Sequence, residues 1–417
     1  MSRKLLAPSD SICRWEDIDF RLAEYRVKKL QKRIATAYKC NDSKTVAYLQ
    51  NKMINSFYAK ALAVRRVTSN RGKKTPGSDG VTWKTPEEKW NAVLSLRQKD
   101  YHAQPLKAVY IPKANGSFRP LSIPTIKDRA MQTLYKFALE PIAEVSADLN
   151  SYGYRSGRSS KLAARKCLNI LNRAPFPSYI LKTDIQSCFS KISHEWILKN
   201  IPLDEKALNN FIIRQDVENK KPSSSGAGIP QGSCLSPVIC NMALDGLEQT
   251  LMSACRNAVS FIRYADDILL ISTDESLLID TAIPVINEFL AERGLKLSSR
   301  KTIICPVENG FDFVGYHFCR CRFNDISYVV PPRGKITSLI DGVIDTLTRD
   351  ANINADFDKV CKLIKPKLNG WLNYFADMCF DRSMLDVECD VVSALWSASH
   401  NRDLTAFVGS LFSSRIP

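Results

Sequence analysis

Two adjacent carboxylates between short apolar runs constrain this chain more than any other feature. Asp266 and Asp267 lie between apolar runs at 262–264 and 268–271, and this pattern predicts two strands joined by a tight turn. A lone pair of this kind is usually an exposed loop. A third acid, Asp184, ends another apolar run. If the strands are neighbours, the three acids meet at one sheet edge, where they can hold two Mg²⁺ ions roughly 3.5–4 Å apart.

Charge and composition narrow the class of partner. The 417 residues predict two or three packed units. The formal net charge of +16 favours a polyanion, with nucleic acid as the first candidate and an anionic membrane surface as the second. No apolar run is long enough to predict a membrane span, and the N-terminus lacks the apolar core of a signal peptide. Thirteen cysteines without framework spacing predict reduced thiols in a cytoplasm.

Hydrophobic periodicity predicts an α+β fold. Apolar runs predict a hairpin over residues 108–112 and 118–123 and a strand over 179–184. Helical spacing predicts a long helix over 126–145, and a separate helical bundle from about residue 333 with helices near 357–376 and 384–397. Helices mixed with antiparallel strands are typical of the α+β class.

The first 70 residues are predicted to form two basic helices. One apolar stripe at helical spacing consists of Val27, Leu30, Ile34 and Ala37. The segment Asn41-Asp42-Ser43 breaks the pattern and can cap the next helix, whose stripe consists of Val46, Leu49, Met53 and Phe57. A solvated helical hairpin and a hairpin bound to a nucleic-acid backbone explain the basic faces equally well.

One cluster of Cys305, His317, Cys319 and Cys321 could bind zinc. The usual two-residue spacer between paired cysteines is missing, so buried reduced thiols are the favoured interpretation.

A series of motifs from about residue 60 to 380 resembles the reverse transcriptases, in particular the bacterial lineage related to group II introns, which includes enzymes of antiphage defence. Each motif alone is weak evidence, and the argument is their order along the chain. The segments are Gly72–Gly80, Tyr110–Lys113 with Arg119–Leu121, Ser151–Ser159, Asp184–Phe189, Gly228–Ser233 with Leu235–Pro237, Tyr264–Asp267, Gly294–Leu297 with Lys301 and Thr302, Phe313–Tyr316 and Gly370–Phe375.

The resemblance implies roles for single residues. Asp184, Asp266 and Asp267 would be catalytic and would bind two Mg²⁺ ions, with Mn²⁺ as an alternative, assisted by the carbonyl of Ile185. The implied nucleotide-binding residues are Lys113, Arg119, Phe189, Gln231 and Lys301, of which Phe189 would exclude a 2′-hydroxyl. The implied primer grip is Phe313, Val314, Gly315 and Tyr316. Core packing for the aromatic residues and solvated charge for the basic ones are the competing interpretations.

The resemblance also implies a right-hand polymerase. Its parts would be a basic helical extension (1–70), fingers with part of the palm (71–175), a palm with the metal site (176–325) and a helical thumb (326–417). The implied activity is RNA-directed DNA synthesis from dNTPs, with an RNA template, a DNA or RNA primer and no membrane partner.

Two other activities stay open beside DNA synthesis. An RNA-templated RNA polymerase shares the acidic palm, although Phe189 argues against it. A group II intron-type maturase acting in splicing and mobility is the alternative biological role. His400 is the one histidine in the tail beyond Gly370, so no endonuclease is expected there. We therefore expect a reverse transcriptase that copies a structured noncoding RNA in antiphage defence.

Overall fold

The computed structural model describes residues 13–112, 116, 118–213, 226–348, 357–399 and 402–414. The chain forms two compact units that interleave along the sequence. Unit 1 contains residues 1–155, 184–251 and 283–300, and unit 2 contains 156–183, 252–282 and 301–417.

Helices and strands alternate irregularly along the chain. Up to the second carboxylate motif they are α1 (Phe20–Lys39), α2 (Ser43–Asn55), α3 (Phe57–Ser69), α4 (Pro86–Ser95), β1 (Lys107–Pro112), β2 (Phe118–Ile123), α5 (Ile126–Val145), α6 (Ser160–Leu171), β3 (Tyr179–Asp184), α7 (Cys188–Lys191), α8 (His194–Asn200), α9 (Glu205–Ile212), α10 (Ser236–Leu244), α11 (Leu247–Ala254) and β4 (Val259–Tyr264).

The remaining elements begin with β5 (Asp267–Ser272). They continue with α12 (Glu275–Leu277), α13 (Ile283–Ala291), β6 (Ile303–Pro306), β7 (Phe311–Phe313), β8 (Tyr316–Arg320), β9 (Ser327–Val330), α14 (Arg333–Thr348), α15 (Phe357–Phe375), α16 (Asp381–Ser399) and α17 (Arg402–Ser413). The mixture of helices and antiparallel strands confirms the predicted α+β class.

Unit 1 is built around α5. Most residues of this helix are buried, as expected for a central helix, and it packs against α1, α2, α3 and α10. The basic residues of α1, among them Arg26, Lys29 and Lys32, are exposed. Asp42 caps α2 by accepting from Thr45 N at 2.9 Å, as the sequence predicts. The predicted pair of helices is extended by a third, α3, which Ser56 caps.

Unit 2 contains two antiparallel sheets and a helical bundle. The larger sheet has the order β4-β5-β3-β6, and the smaller has the order β7-β8-β9. The last residue of β3, Asp184, is the first residue of a segment of unit 1. Helix α6 packs against β4 and β9, while α14 to α17 pack against one another. Since α14 begins at Arg333, the predicted start of the helical bundle is confirmed. No helix among the described residues is both long enough and apolar enough to cross a membrane.

Candidate active site

A two-residue hairpin turn carries the paired acids. Tyr264 pairs with Asp267 in the β4–β5 register, which leaves Ala265 and Asp266 as the loop. Ala265 has φ +57°, a left-handed conformation that costs a residue with a side chain roughly 1–2 kcal/mol. The strands on both sides are buried, so the core fixes the turn. Asp266 and Asp267 are half-buried at its tip.

Strand β3 runs antiparallel to β5. Ser178 N donates to Ser272 O at 3.1 Å, so the start of β3 lies against the end of β5. Neighbouring strands that meet start to end run in opposite directions. The end of β3, where Asp184 stands, therefore lies at the same edge of the sheet as the β4–β5 turn. Sequence periodicity predicts each strand correctly, but their order in the sheet requires the structure.

The chain beyond Asp184 is held by backbone pairing in unit 1. Ser298 N donates to Asp184 O at 2.8 Å, and Gln186 N donates to Lys296 O at 2.9 Å. Ile185 lies between these bonds, in an isolated bridge to Leu297, with its side chain buried. The motif around Leu297 thus supports the segment that follows the first acid.

Phe189 and Gln231 belong to two segments that are hydrogen-bonded to each other. We call residues 187–193 the gate segment and residues 226–233 the pocket loop. Ile229 N donates to Phe189 O at 2.6 Å, and Gly228 N donates to Ile192 O at 2.8 Å. Both Phe189 and Gln231 are half-buried. The structure therefore brings the predicted sugar gate and the predicted pocket glutamine into one backbone-connected assembly.

The pocket loop also contacts strand β2. Ser122 N donates to Gln231 O at 2.7 Å. Gly232 has φ +122°, and a Cβ added there would lie 2.2 Å from Ser122 O. Glycine is thus required for this close approach. Arg119 lies on β2, where its backbone pairs with Ile111.

The predicted contacts to the triphosphate are Lys113, Lys301 and Arg119. Lys113 lies outside the described residues. Lys301 lies in an exposed turn two residues before β6. The pairing of β1 with β2 confirms the predicted hairpin that carries Arg119.

The predicted primer grip is a second two-residue hairpin. Phe313 pairs with Tyr316, and Val314 and Gly315 form the loop with φ values of +44° and +85°. A positive φ at a β-branched residue is an outlier that its surroundings must impose. Phe313 and Tyr316 are fully buried, so their side chains pack in the core, as the competing interpretation has it.

Tyr374 on α15 anchors that loop within unit 2. Its hydroxyl donates to Val314 O at 2.8 Å, and its ring stacks on Tyr316 with centroids 4.9 Å apart. Burial raises the pKa of Tyr316, and the neighbouring Tyr374 raises it further. The sequence contains Tyr374 in the predicted thumb motif, but local patterns could not show this contact.

The described side chains do not by themselves form a complete set of metal ligands. Within the ranges that the structure describes, no three histidine, cysteine, aspartate or glutamate side chains are grouped so as to hold a metal ion. In the cysteine cluster, Cys305, Cys319 and Cys321 form no disulfide and are half-buried rather than buried as predicted, and His317 Nδ1 lies 2.7 Å from Asp312 Oδ1. The acids at the sheet edge nevertheless have the oxygen ligands that Mg²⁺ prefers.

Two family comparisons define the class of protein. Residues 111–318 match the family described as reverse transcriptase (RNA-dependent DNA polymerase), and residues 15–96 match the N-terminal domain of reverse transcriptase. Both candidate site hairpins and the pocket loop fall within the first match. The chain belongs to the reverse transcriptase family, whose right-hand fold agrees with the α+β architecture.

The relatives place the chain near intron-encoded proteins. Protein YkfC of Escherichia coli is 27% identical over 71% of this chain and 89% of its own length. Group II intron-encoded protein LtrA of Lactococcus lactis is 30% identical over 46% of this chain, and the match spans 33% of that protein. The putative COX1/OXI3 intron 2 protein of Saccharomyces cerevisiae is 23% identical, over 66% of this chain and 39% of that protein.

Solved telomerase structures are more distant. The telomerase of Candida albicans, solved with a TWJ fragment of telomeric RNA, is 14% identical with a TM-score of 0.41, covering 76% of this chain and 62% of that one.

Proposed function

We propose that this chain is an RNA-directed DNA polymerase that uses two divalent metal ions. The observation that carries the proposal is the sheet edge where β3 ends at Asp184 and the β4–β5 turn presents Asp266 and Asp267. Asp184 and Asp266 would hold two Mg²⁺ ions, or Mn²⁺, with support from Asp267 and the Ile185 carbonyl. Bound metal would activate the primer 3′-hydroxyl and neutralise charge on the leaving pyrophosphate.

The nucleotide would bind against the gate segment and the pocket loop. Phe189 would clash with a 2′-hydroxyl and thereby favour deoxynucleotides, while Gln231 would line the pocket. Lys113, Arg119 and Lys301 would contact the triphosphate, for which ammonium and guanidinium groups are suited. The hydrogen bonds between the two segments support the pairing of Phe189 with Gln231.

The primer and template would lie on basic surfaces of the chain. The 313–316 loop would support the primer end, since Tyr374 fixes its backbone. The net charge of +16 supports contacts to the nucleic-acid backbone, which should weaken steeply with salt. We propose the parts extension (1–70), fingers (71–175), palm (176–325) and thumb (326–417) for this binding. The thirteen cysteines form no disulfide in the structure, which supports action in a reducing cytoplasm.

Primer extension on an RNA template tests the activity. Asp266→Ala should lower deoxynucleotide incorporation by about 10²–10³-fold or more, because it removes a carboxylate at the reacting phosphate. Asp280→Ala, which removes an exposed carboxylate of the same unit, serves as the matched control and should retain activity. Equal activity in the two variants would refute the acidic site. Parallel reactions with ribonucleotides separate DNA synthesis from RNA synthesis.

We propose a structured noncoding RNA, copied in antiphage defence, as the template. The motif resemblance supports this role, while the intron-encoded relatives favour a maturase acting in splicing and mobility as the second candidate. Sequencing the RNA and cDNA recovered with the purified chain separates them. A single noncoding RNA with matching cDNA supports the first role, and recovery of its own intron supports the second.

A further inference from the structure

His194 joins the gate segment to the pocket loop. It is the first residue of α8, directly after the gate segment, and its half-buried ring reaches across to the loop. His194 Nε2 lies 2.6 Å from Gly228 O, and His194 N donates to Gly226 O at 3.0 Å. Because a carbonyl oxygen can only accept, Nε2 must carry the proton. Both the neutral ring protonated at Nε2 and the cation meet this requirement.

The carbonyl that His194 binds has little freedom to move. Gly228 has φ +94°, and a Cβ added there would lie 2.9 Å from Ser190 O. Gly228 N is already bonded to Ile192 O, so the histidine fixes the second polar backbone group of the same residue. The next residue, Ile229, is the one whose N–H binds Phe189 O. The histidine and Phe189 O therefore bind the C=O and the N–H of one peptide unit, the one that joins Gly228 to Ile229.

We infer that His194 is a positioning residue that sets the spacing between Phe189 and Gln231, and through it the selection of deoxynucleotides. The inference rests on the proposed polymerase function. His194 would contact neither the nucleotide nor the metal ions and acts through its hydrogen bond to the Gly228 carbonyl. Loss of the bond lets the pocket loop move away from the gate, which weakens nucleotide binding and admits a 2′-hydroxyl.

Three substitutions test this role by single-nucleotide incorporation. His194→Leu removes the donor, while His194→Gln places an amide N–H near the position of Nε2 and should restore the bond. We expect His194→Leu to raise KM for dNTP about tenfold and to lower the preference for dNTP over rNTP by a similar factor, with kcat nearly unchanged, since a buried carbonyl loses its partner. His194→Gln should return both values to near wild type. His102→Leu, at an exposed histidine of unit 1, is the matched control.

A double-mutant cycle separates positioning from a general structural role. If His194 acts through the gate, His194→Leu should cause no further loss of sugar selectivity in a Phe189→Ala background. Additive losses would overturn the inference. Unchanged KM and selectivity in an active His194→Leu enzyme would also overturn it, as would equal defects in the Leu and Gln variants together with equal falls in Tm. A wild-type chain that never extends a primer would instead refute the polymerase proposal, and the role of His194 would lose its basis with it.

Discussion

Gly232 provides the sharpest test of how the nucleotide pocket is built. In Gly232→Ala the new Cβ would lie 2.2 Å from Ser122 O, while carbon–oxygen contacts close at about 3.3 Å. The pocket loop must therefore move by about 1 Å, a displacement that can cost about 10²-fold in rate near a reacting group. The φ of +122° adds backbone strain of about 1–3 kcal/mol for a residue with a side chain.

The matched control lies in the same loop. Gly226 also has a positive φ, +60°, but an added Cβ would meet nothing within 4 Å. Gly226→Ala therefore adds left-handed strain of about 1–2 kcal/mol without a clash. Comparison of the two variants separates the contact with strand β2 from the loss of backbone freedom.

The assay is steady-state incorporation of one deoxynucleotide on a primed RNA template, with thermal unfolding as the check on folding. We expect Gly232→Ala to lower kcat/KM for dNTP by about 10²-fold and Gly226→Ala to lower it by less than about fivefold. If a folded Gly232→Ala enzyme keeps the kinetics of Gly226→Ala, the contact between the pocket loop and β2 does not position the nucleotide.

Three further changes test the gate, a buried acid and the loop anchor. Phe189→Ala should raise ribonucleotide incorporation relative to deoxynucleotide by about ten- to a hundredfold, measured in competing extension reactions, and an unchanged ratio would contradict the gate. Burial raises the pKa of Asp128, so the folded protein favours the protonated carboxyl. The free energy of unfolding therefore falls as the pH rises from the unfolded-state pKa, about 4, through the higher folded-state pKa. Asp128→Asn should therefore flatten the dependence of the unfolding free energy on pH, measured by denaturant unfolding between about pH 4 and 7, and an identical slope would refute the assignment. Tyr374→Phe removes the donor to Val314 O and should lower the unfolding free energy by about 1 kcal/mol, whereas Tyr25→Phe, at an exposed ring, should leave it unchanged.

The sequence pattern was sufficient to predict those helices and strands that are buried and have periodically spaced apolar residues. The predicted helix over 126–145 and the predicted strand over 179–184 have the bounds found in the structure. The helix buries most of its residues and the strand buries half of its residues, so the apolar pattern indicates which residues enter the core. The paired acids are also predicted in the right turn, because a run of apolar residues lies in the strand on each side.

Contacts between distant segments could not be predicted from the sequence. The bond from Ile229 to Phe189 and the close approach of Gly232 to Ser122 depend on backbone positions that no periodicity encodes. The third N-terminal helix was missed because Phe57 fits the stripe of the helix before it, while Ser56 ends that helix and caps the next. His194 carries no local signal, since its partner is a carbonyl in another segment.

The interleaving of the two units has a consequence for how this chain can be made and divided. Unit 1 is not complete until residue 300 has been synthesised, and α6 and β3 of unit 2 appear long before β6, with which β3 pairs. Such long-range pairing slows folding, and strands that are synthesised early stay unpaired until their partner strands have been made. Cuts after residues 70, 175 or 325 each fall inside a continuous segment of one unit. Fragments made at these points would therefore expose parts of a core, and dissection of this enzyme should proceed by point substitution in the full chain.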